Sequence, residues 1–247
     1  MRTAILLGDS LTEQGYFSGW AAQLSERYVR RADVLNRGLS GYNTRWVLDI
    51  LNDDERRRHL LPPHIGQPLF VTLMLGSNDC AGLPQYVPLE EYRVNLKAIV
   101  RLVREHVAPV GGLFLMSPPP LDEEGRLTWL RSVGREPDSC KRSFENVRRY
   151  RDAALQVGAE EYAEHGDVFT VDLHLAFLGA GADTTPYAKG PWCGNFVDGL
   201  HFNGDGGRIV FEALWSAIAK SARADKIMPD GLPYVLPPWD ALASSTL

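Results

Sequence analysis

A serine, an aspartate and a histidine occur where they could together carry out acyl transfer. Ser10 directly follows a short apolar run and a Gly-Asp pair, and His201 lies three residues after Asp198. A serine hydroxyl needs a base before it can attack a carbonyl, and the imidazole of His201 could accept its proton. One turn of backbone would bring the Asp198 carboxylate to the other ring nitrogen and fix the tautomer. These three residues are therefore the predicted catalytic set.

Three further groups could stabilise negative charge on a carbonyl oxygen during such a reaction. They are the backbone N–H groups of Ser10 and Gly41 and the side-chain amide of Asn78. Gly41 suits this role because a residue without a side chain lets a reacting group approach its backbone. Asp9 and Asp79 are interpreted as structural residues, since a carboxylate beside the developing oxyanion would oppose catalysis.

Apolar runs bounded by turn-forming residues predict strands at 4–7, 69–75, 112–117 and 168–172, and a further short strand is predicted at 33–37. Apolar residues at helical spacing predict helices at 20–31, around 46–51 with a charged continuation over 53–58, and at 89–106, 141–165 and 208–223. Residues 121–139 and 179–195 are predicted to be loops. Strands that alternate with helices require a parallel sheet with right-handed crossovers, so we predict a three-layer α/β/α sandwich with a five-stranded parallel sheet.

Ser10, Gly41 and Asn78 each follow the end of a predicted strand. The carboxyl ends of parallel strands form the edge of the sheet where ligands bind, so these residues are expected to meet there. Local sequence alone leaves another interpretation open, in which Asp9 or Ser10 merely caps the helix that follows.

The chain is predicted to form one domain over residues 1–228, followed by a proline-rich tail over 229–247. The tail carries too many large apolar side chains for a freely solvated end: Leu232, Tyr234, Val235, Leu236 and Trp239. We therefore expect it to dock, either on its own body near the active-site edge or on a partner subunit, so that a homo-oligomer is possible.

The balance of charges argues against several classes of partner. The 247 residues include 26 basic and 31 acidic ones, a formal net charge of −5. An acidic surface does not favour nucleic acid or an anionic membrane, so the expected substrate is small and uncharged, or bound by its shape. No apolar run is long enough to span a membrane, and the segment before Gly8 is too short for a signal-peptide core. A cytoplasmic location is expected.

Cysteine and histidine usage predicts no metal or cofactor. Three widely spaced cysteines cannot close a disulfide framework and lack the paired spacing of a zinc site, and Cys80 is expected only to pack. His174 is the one rival to His201, but it has no acid three residues earlier. Trp192 either lines the pocket or packs on the body. The other histidines are expected at the surface: His59, His64, His106 and His165.

Four blocks of this sequence resemble the conserved blocks of the GDSL or SGNH hydrolases, in order and spacing. They are Gly8-Asp9-Ser10-Leu11, Asn36-Arg37-Gly38-Leu39-Ser40-Gly41, Gly76-Ser77-Asn78-Asp79 and Asp198-Gly199-Leu200-His201. Three segments, at residues 41–46, 87–91 and 198–202, look like segments of the isoamyl acetate-hydrolysing esterases, which the chain resembles most within that family. The resemblance implies a sheet in flavodoxin-like order, and it implies that Ser10, Gly41, Asn78 and His201 are the residues for which the SGNH group is named.

The leading hypothesis is thus a serine esterase that hydrolyses small carboxylic esters, with short acyl or acetyl groups, through an acyl-enzyme. The same machinery could act on O-acetylated sugars, lysophospholipids or thioesters. Two hypotheses from other classes remain at this stage. One is a metal-dependent phosphohydrolase that uses Asp9, Asp79, Asp198 and His201 as ligands, and the other is an inactive binding module.

Overall fold

The computed structural model describes residues 2–135, 142–179 and 189–244. Five strands form one parallel sheet: β1 (Arg2–Gly8), β2 (Ala32–Gly38), β3 (Val71–Met74), β4 (Leu113–Met116) and β5 (Val168–Val171). Their spatial order is β2-β1-β3-β4-β5, which is the flavodoxin-like order. The predicted α/β fold class and the strand order implied by the family resemblance are both confirmed.

Eleven α-helices lie in the described part of the chain. They are α1 (Ser10–Glu13), α2 (Trp20–Arg27), α3 (Thr44–Asn52), α4 (Asp54–Leu60), α5 (Leu89–His106), α6 (Glu123–Ser132), α7 (Phe144–His165), α8 (Leu173–Leu178), α9 (Gly204–Lys220), α10 (Ala224–Ile227) and α11 (Trp239–Ser244). None of these helices is both long enough and apolar enough to cross a membrane.

The sheet has a hydrophobic core on each face because side chains alternate along every strand. In β1, Ile5 and Leu7 belong to the core that α3, α5 and α7 cover. Their neighbours Ala4 and Leu6 belong to the opposite core, which α2, α8 and α9 cover. The apolar run from Ala4 to Leu7 is thereby buried on both sides, as expected for a parallel sheet between two helical layers.

Several predicted bounds differ from the structure, and two of the differences trace to unrecognised helix caps. Residues 121–139 were expected to form a loop, yet they contain α6, whose first turn is capped by the Asp122 carboxylate at 3.0 Å from the Gly125 N–H. Residues 136–139 of that segment lie outside the described residues. The last long helix begins at Gly204, not 208, because the Asn203 side chain accepts hydrogen bonds from the N–H groups of Asp205 and Gly206.

The proline-rich tail contacts the body of the same chain at the amino ends of the strands. Arg30, just before β2, donates to the carbonyl oxygens of Leu236 and Pro237 at 2.9 and 2.7 Å. The ring of Tyr234 lies 4.7 Å from the guanidinium carbon of Arg30, and Leu232 is buried. Ser10 follows the carboxyl end of β1, so these contacts lie at the opposite edge of the sheet from the position that the sequence suggested.

We propose that the tail stabilises the folded monomer, and we expect removal of residues 229–247 to lower the Tm by about 4–10 °C. Loss of the buried Leu232 alone should cost about 2 kcal/mol, and each kcal/mol shifts the Tm of a domain of this size by about 2–4 °C. A matched deletion of residues 239–247 removes only the exposed Trp239 and its neighbours and should leave the Tm unchanged. Equal melting points for both truncations, measured by calorimetry with light scattering to follow mass, would contradict the proposal.

Candidate active site

The predicted site residues lie together at the point of the sheet where successive strands begin to be added on the other side of β1. Strand β1 lies between β2 and β3, so the chain leaves β1 toward one side of the sheet and later returns on the other. Ser10 follows β1, Gly41 follows β2 and Asn78 follows β3. In open α/β sheets the crevice outside the strand ends at such a point is the usual ligand site. A cavity of about 390 Å³ lies there, and all three residues line it together with His201.

Ser10, His201 and Asp198 form a hydrogen-bonded chain. The Nε2 atom of His201 lies 2.9 Å from Oγ of Ser10, and its Nδ1 lies 2.8 Å from Oδ2 of Asp198. The other carboxylate oxygen, Oδ1, accepts the N–H groups of Leu200 and His201 at 3.0 and 2.8 Å. This local loop holds the carboxylate against the imidazole, as the three-residue spacing predicted.

Asp198 is held in its charged form despite its burial. Burial on its own would raise its pKa, but the hydrogen bonds from the side chain and backbone of His201 outweigh it, and the charge of Arg126 adds to them. The pKa of Asp198 therefore lies well below its usual range. An ionised Asp198 accepts a hydrogen bond from the N–H at Nδ1 of His201, which leaves Nε2 unprotonated as the acceptor that faces Ser10.

The capping interpretation applies to Asp9 and not to Ser10. Oδ1 of Asp9 accepts the N–H of Leu11 at 2.9 Å and so caps α1. Its Oδ2 is buried and has no partner among the described residues. Burial disfavours the charged form of Asp9 and raises its pKa to about 6. The cap leaves the Ser10 hydroxyl directed at His201.

Three N–H donors are available where an oxyanion would form. In the described chain, the backbone N–H groups of Ser10 and Gly41 donate to no protein acceptor. Gly41 has φ = +81°, a left-handed conformation that residues with a side chain rarely adopt. The Asn78 amide donates to the Tyr42 carbonyl at 2.8 Å, and an amide nitrogen carries a second hydrogen.

The Asn78 amide is held in one orientation by residues that the sequence did not single out. Its Oδ1 accepts Nη2 of Arg142 at 2.7 Å and Nε2 of Gln85 at 3.3 Å. Gln85 also donates to the Gly41 carbonyl at 2.7 Å. With Oδ1 bound to two donors and Nδ2 bound to Tyr42, the amide cannot flip without breaking three hydrogen bonds.

Asn78→Ala is expected to lower kcat by about a hundred- to a thousandfold with a smaller change in KM, because the amide acts on charge that develops only in the transition state. Steady-state kinetics on an aryl acetate measure both constants, and circular dichroism checks the fold. A large rise in KM at constant kcat would instead make Asn78 a ground-state binding residue.

Arg126 is a third residue that the sequence did not indicate. It lies on α6, is 8% exposed, and forms an ion pair with Oδ2 of Asp198. Its guanidinium carbon also lies 4.6 Å from the ring of Trp129. The Asp198 carboxylate thus has two side-chain partners, His201 and Arg126. The sequence around Arg126 contains no motif that predicts its partner, which lies 72 residues away.

The rival residues pack in the core or lie at the surface. His174 is fully buried, its Nδ1 lies 3.0 Å from the Pro118 carbonyl, and burial lowers its pKa to about 4. Trp192 is buried between Phe144 and Phe196 and is absent from the cavity lining. The remaining four histidines are exposed, as predicted: His59, His64, His106 and His165.

Cys80 is fully buried, as predicted, with its Sγ 3.5 Å from the Ser77 carbonyl oxygen. Burial raises the pKa of its thiol to about 12, so the thiol stays protonated and unreactive at neutral pH. Cys140 lies outside the described residues. No group of three or more histidine, cysteine or acidic side chains within residues 2–135, 142–179 and 189–244 is arranged to hold a metal ion.

Asp79 is a buried structural carboxyl group. Its Oδ1 accepts the N–H of Thr44 at 2.9 Å and also the Thr44 hydroxyl. Burial raises its pKa from 3.8 to about 7. Asp79 therefore joins the loop after β3 to the start of α3, which places Asn78 next to Gly41.

The pKa of Asp79 predicts a pH dependence of stability. Between about pH 4 and pH 7 the folded protein holds this proton and the unfolded chain does not, so the free energy of unfolding falls as pH rises through that interval. Asp79→Asn keeps the acceptor for Thr44 and removes the ionisation. Urea unfolding measures the free energy of unfolding of both proteins. The difference between the variant and wild type should rise in favour of the variant by on the order of 3 kcal/mol from pH 4 to pH 7.5. Parallel pH profiles for the two proteins would refute this assignment.

Comparisons with known proteins identify relatives over nearly the whole chain. Residues 6–209 match the GDSL-like lipase/acylhydrolase family. The isoamyl acetate-hydrolyzing esterase 1 homolog of Bos taurus is 35% identical over 98% of this chain and 88% of its own length. The isoamyl acetate-hydrolyzing esterase of Saccharomyces cerevisiae is 30% identical over 95% of this chain and 92% of its own. Among solved structures, an acetylxylan esterase from Geobacillus stearothermophilus has a TM-score of 0.58 at 22% identity, covering 88% of this chain and 94% of its own.

Proposed function

Because the chain belongs to the GDSL-like lipase/acylhydrolase family and is a carboxylic ester hydrolase, we propose that Ser10 is its nucleophile and that it hydrolyses small esters through an acyl-enzyme. The observation that supports this most strongly is the unbroken hydrogen-bonded chain from Ser10 through His201 to Asp198.

In the acylation half-reaction, Oγ of Ser10 attacks the ester carbonyl carbon while its proton moves to Nε2 of His201. The charge of the resulting imidazolium is stabilised by Asp198. The carbonyl oxygen becomes an oxyanion that accepts the N–H groups of Ser10 and Gly41 and the second amide hydrogen of Asn78. Collapse of this tetrahedral intermediate breaks the bond to the alkoxy oxygen, which takes the proton from His201 and leaves as the alcohol.

In the deacylation half-reaction, water attacks the Ser10 acyl ester and gives one proton to His201. The same three donors stabilise the second oxyanion. Its collapse releases the carboxylic acid and returns the proton to Oγ of Ser10. Atoms and charge balance over the cycle, in which one ester and one water become one acid and one alcohol.

The acyl group is proposed to be short. The cavity holds about 390 Å³, and Ser10, Ser40, Asn78, Gln85 and His201 contribute polar groups to its lining. A long acyl chain needs an extended apolar groove to cover it, and the lining that the described residues give this cavity is mainly polar.

The test is a series of p-nitrophenyl esters from acetate to laurate, run beside acetylated sugars, a lysophospholipid and a thioester. The highest kcat/KM is expected for acetate to butyrate, with a decline of about tenfold or more by octanoate. A maximum at laurate or on the lysophospholipid would contradict the short-acyl proposal. Loss of all activity after EDTA treatment would contradict the serine mechanism and favour a metal-dependent one.

A further inference from the structure

The active-site cavity carries a positive charge although the whole protein is acidic. Three arginines line it, Arg126, Arg135 and Arg142, and none of its lining residues among the described ones is an aspartate or glutamate. The formal charge of the protein is −5. Net charge describes the average surface, whereas a ligand in a cavity responds to the charges that face it.

One of the three arginines is already neutralised. Arg126 pairs with Asp198, so its charge is balanced by the carboxylate that orients His201. It contributes to the catalytic machinery and not to the unbalanced charge of the cavity.

Arg142 forms no ion pair or hydrogen bond with a carboxylate of the described residues, although its charge acts on the buried Asp9. Its Nε donates to the Ser77 carbonyl at 2.6 Å, and its Nη2 donates to Asn78 and Gln85 at 2.7 and 3.2 Å. All three acceptors are uncharged, and within the described chain Nη1 has no partner. A guanidinium has five N–H donors, so two remain available on Nη1 of a side chain that lines the cavity.

Arg135 supplies the second unbalanced charge. It follows α6, is exposed, and its guanidinium forms no hydrogen bond or ion pair with any residue that the structure describes. Two guanidinium groups with free donors therefore face one cavity that holds the nucleophile. Guanidinium groups match the planar oxygens of carboxylate and phosphate groups.

We infer that the preferred substrate of this esterase is a small ester that also bears an anionic group, a carboxylate or a phosphate, held by Arg135 and Arg142 while Ser10 attacks the ester. This inference rests on the proposed function. It differs from the expectation of an uncharged substrate, which was based on the net charge of the protein. The acidic remainder of the surface does not oppose the preference, because charges separated by more than about 10 Å are largely screened at physiological salt.

Two matched pairs of esters test the inference. In the first pair, 4-acetoxyphenylacetate and its methyl ester differ in charge on the alcohol side. In the second, mono-4-nitrophenyl adipate and its methyl ester differ in charge on the acyl side. For each pair the ratio of kcat/KM for the anionic ester to that for the neutral ester is measured. We expect a ratio of about ten or more in at least one pair at low salt, falling as salt is raised.

The variants Arg135→Gln and Arg142→Gln should lower that ratio by about threefold and tenfold, respectively, because the exposed charge is more strongly screened by solvent. Arg142 also orients Asn78, but both esters of a pair form the same oxyanion, so that effect cancels in the ratio. Arg131→Gln is the matched control, since Arg131 is an exposed arginine of α6 that does not line the cavity, and its ratio should equal that of wild type.

A ratio of one or less in both pairs, with ready hydrolysis of the neutral esters, would overturn the inference and leave the proposed function standing. A preference for the anionic ester that is unchanged in both Arg135→Gln and Arg142→Gln would also overturn the inference. Failure to hydrolyse any of the four esters would instead contradict the proposed function itself.

Discussion

Ser10→Ala is expected to yield a folded protein whose kcat on an aryl acetate is lower by about 10⁴- to 10⁶-fold. The hydroxyl of Ser10 bonds only to His201 in the described chain, so its removal leaves the cap of α1 and the strand before it intact. The residual rate would come from the N–H donors of the oxyanion site, which can still act on attack by water.

Ser40→Ala is the matched control for this experiment. Ser40 lines the same cavity, but its hydroxyl has no imidazole partner in the described structure. Its removal should change kcat less than about threefold. Turnover in purified, folded Ser10→Ala that approached the wild-type rate would eliminate Ser10 as the nucleophile.

His201→Ala should lower kcat by about 10⁴-fold or more, because Ser10 then lacks a base at 2.9 Å from its hydroxyl. The side chain is 19% exposed and lines the cavity, so its loss opens a space that solvent can reach. Added imidazole should enter this space and restore part of the activity, measured as a rise in kcat with imidazole concentration. It should not restore the activity of Ser10→Ala, which lacks the group to be deprotonated.

His106→Ala is the corresponding control, since His106 is an exposed histidine at the end of α5. The kcat of His106→Ala should equal that of wild type both with and without imidazole. Wild-type kinetics in His201→Ala would remove this residue from the mechanism, and equal rescue of both His201→Ala and Ser10→Ala would show that imidazole itself hydrolyses the ester.

The candidate site residues could be selected from the sequence because each stands in a recognisable pattern, and the order of the four blocks together carried more weight than any one of them. Ser10 and Asn78 stand after apolar runs that end in glycine and polar residues, and Asp198 is joined to His201 by a spacing of three. Alternation of strands and helices predicted a parallel sheet. The order of its strands came only from the family resemblance, since loops of any reasonable length can lead to either side of β1.

The residues that support the site could not be predicted, because their partners are distant along the chain. Arg126 pairs with Asp198 across 72 residues, and Arg142 reaches Asn78 across 64. Neither stands in a motif, and α6 was missed because its sequence is mostly polar and depends on the Asp122 cap. The net charge of −5 likewise does not predict that three arginines line one cavity, because it is an average over the whole protein.

The claim that Ser10 is an activated nucleophile is tested most directly by covalent labelling with a fluorophosphonate. Such reagents form a stable bond with a serine hydroxyl that has a neighbouring base. Peptide mass spectrometry of the treated wild-type protein should find one adduct, on Ser10, in proportion to lost esterase activity. His201→Ala should label far more slowly, and Ser10→Ala should not label at all. An adduct on another serine that tracks the lost activity, or full activity with Ser10 labelled, would contradict the account.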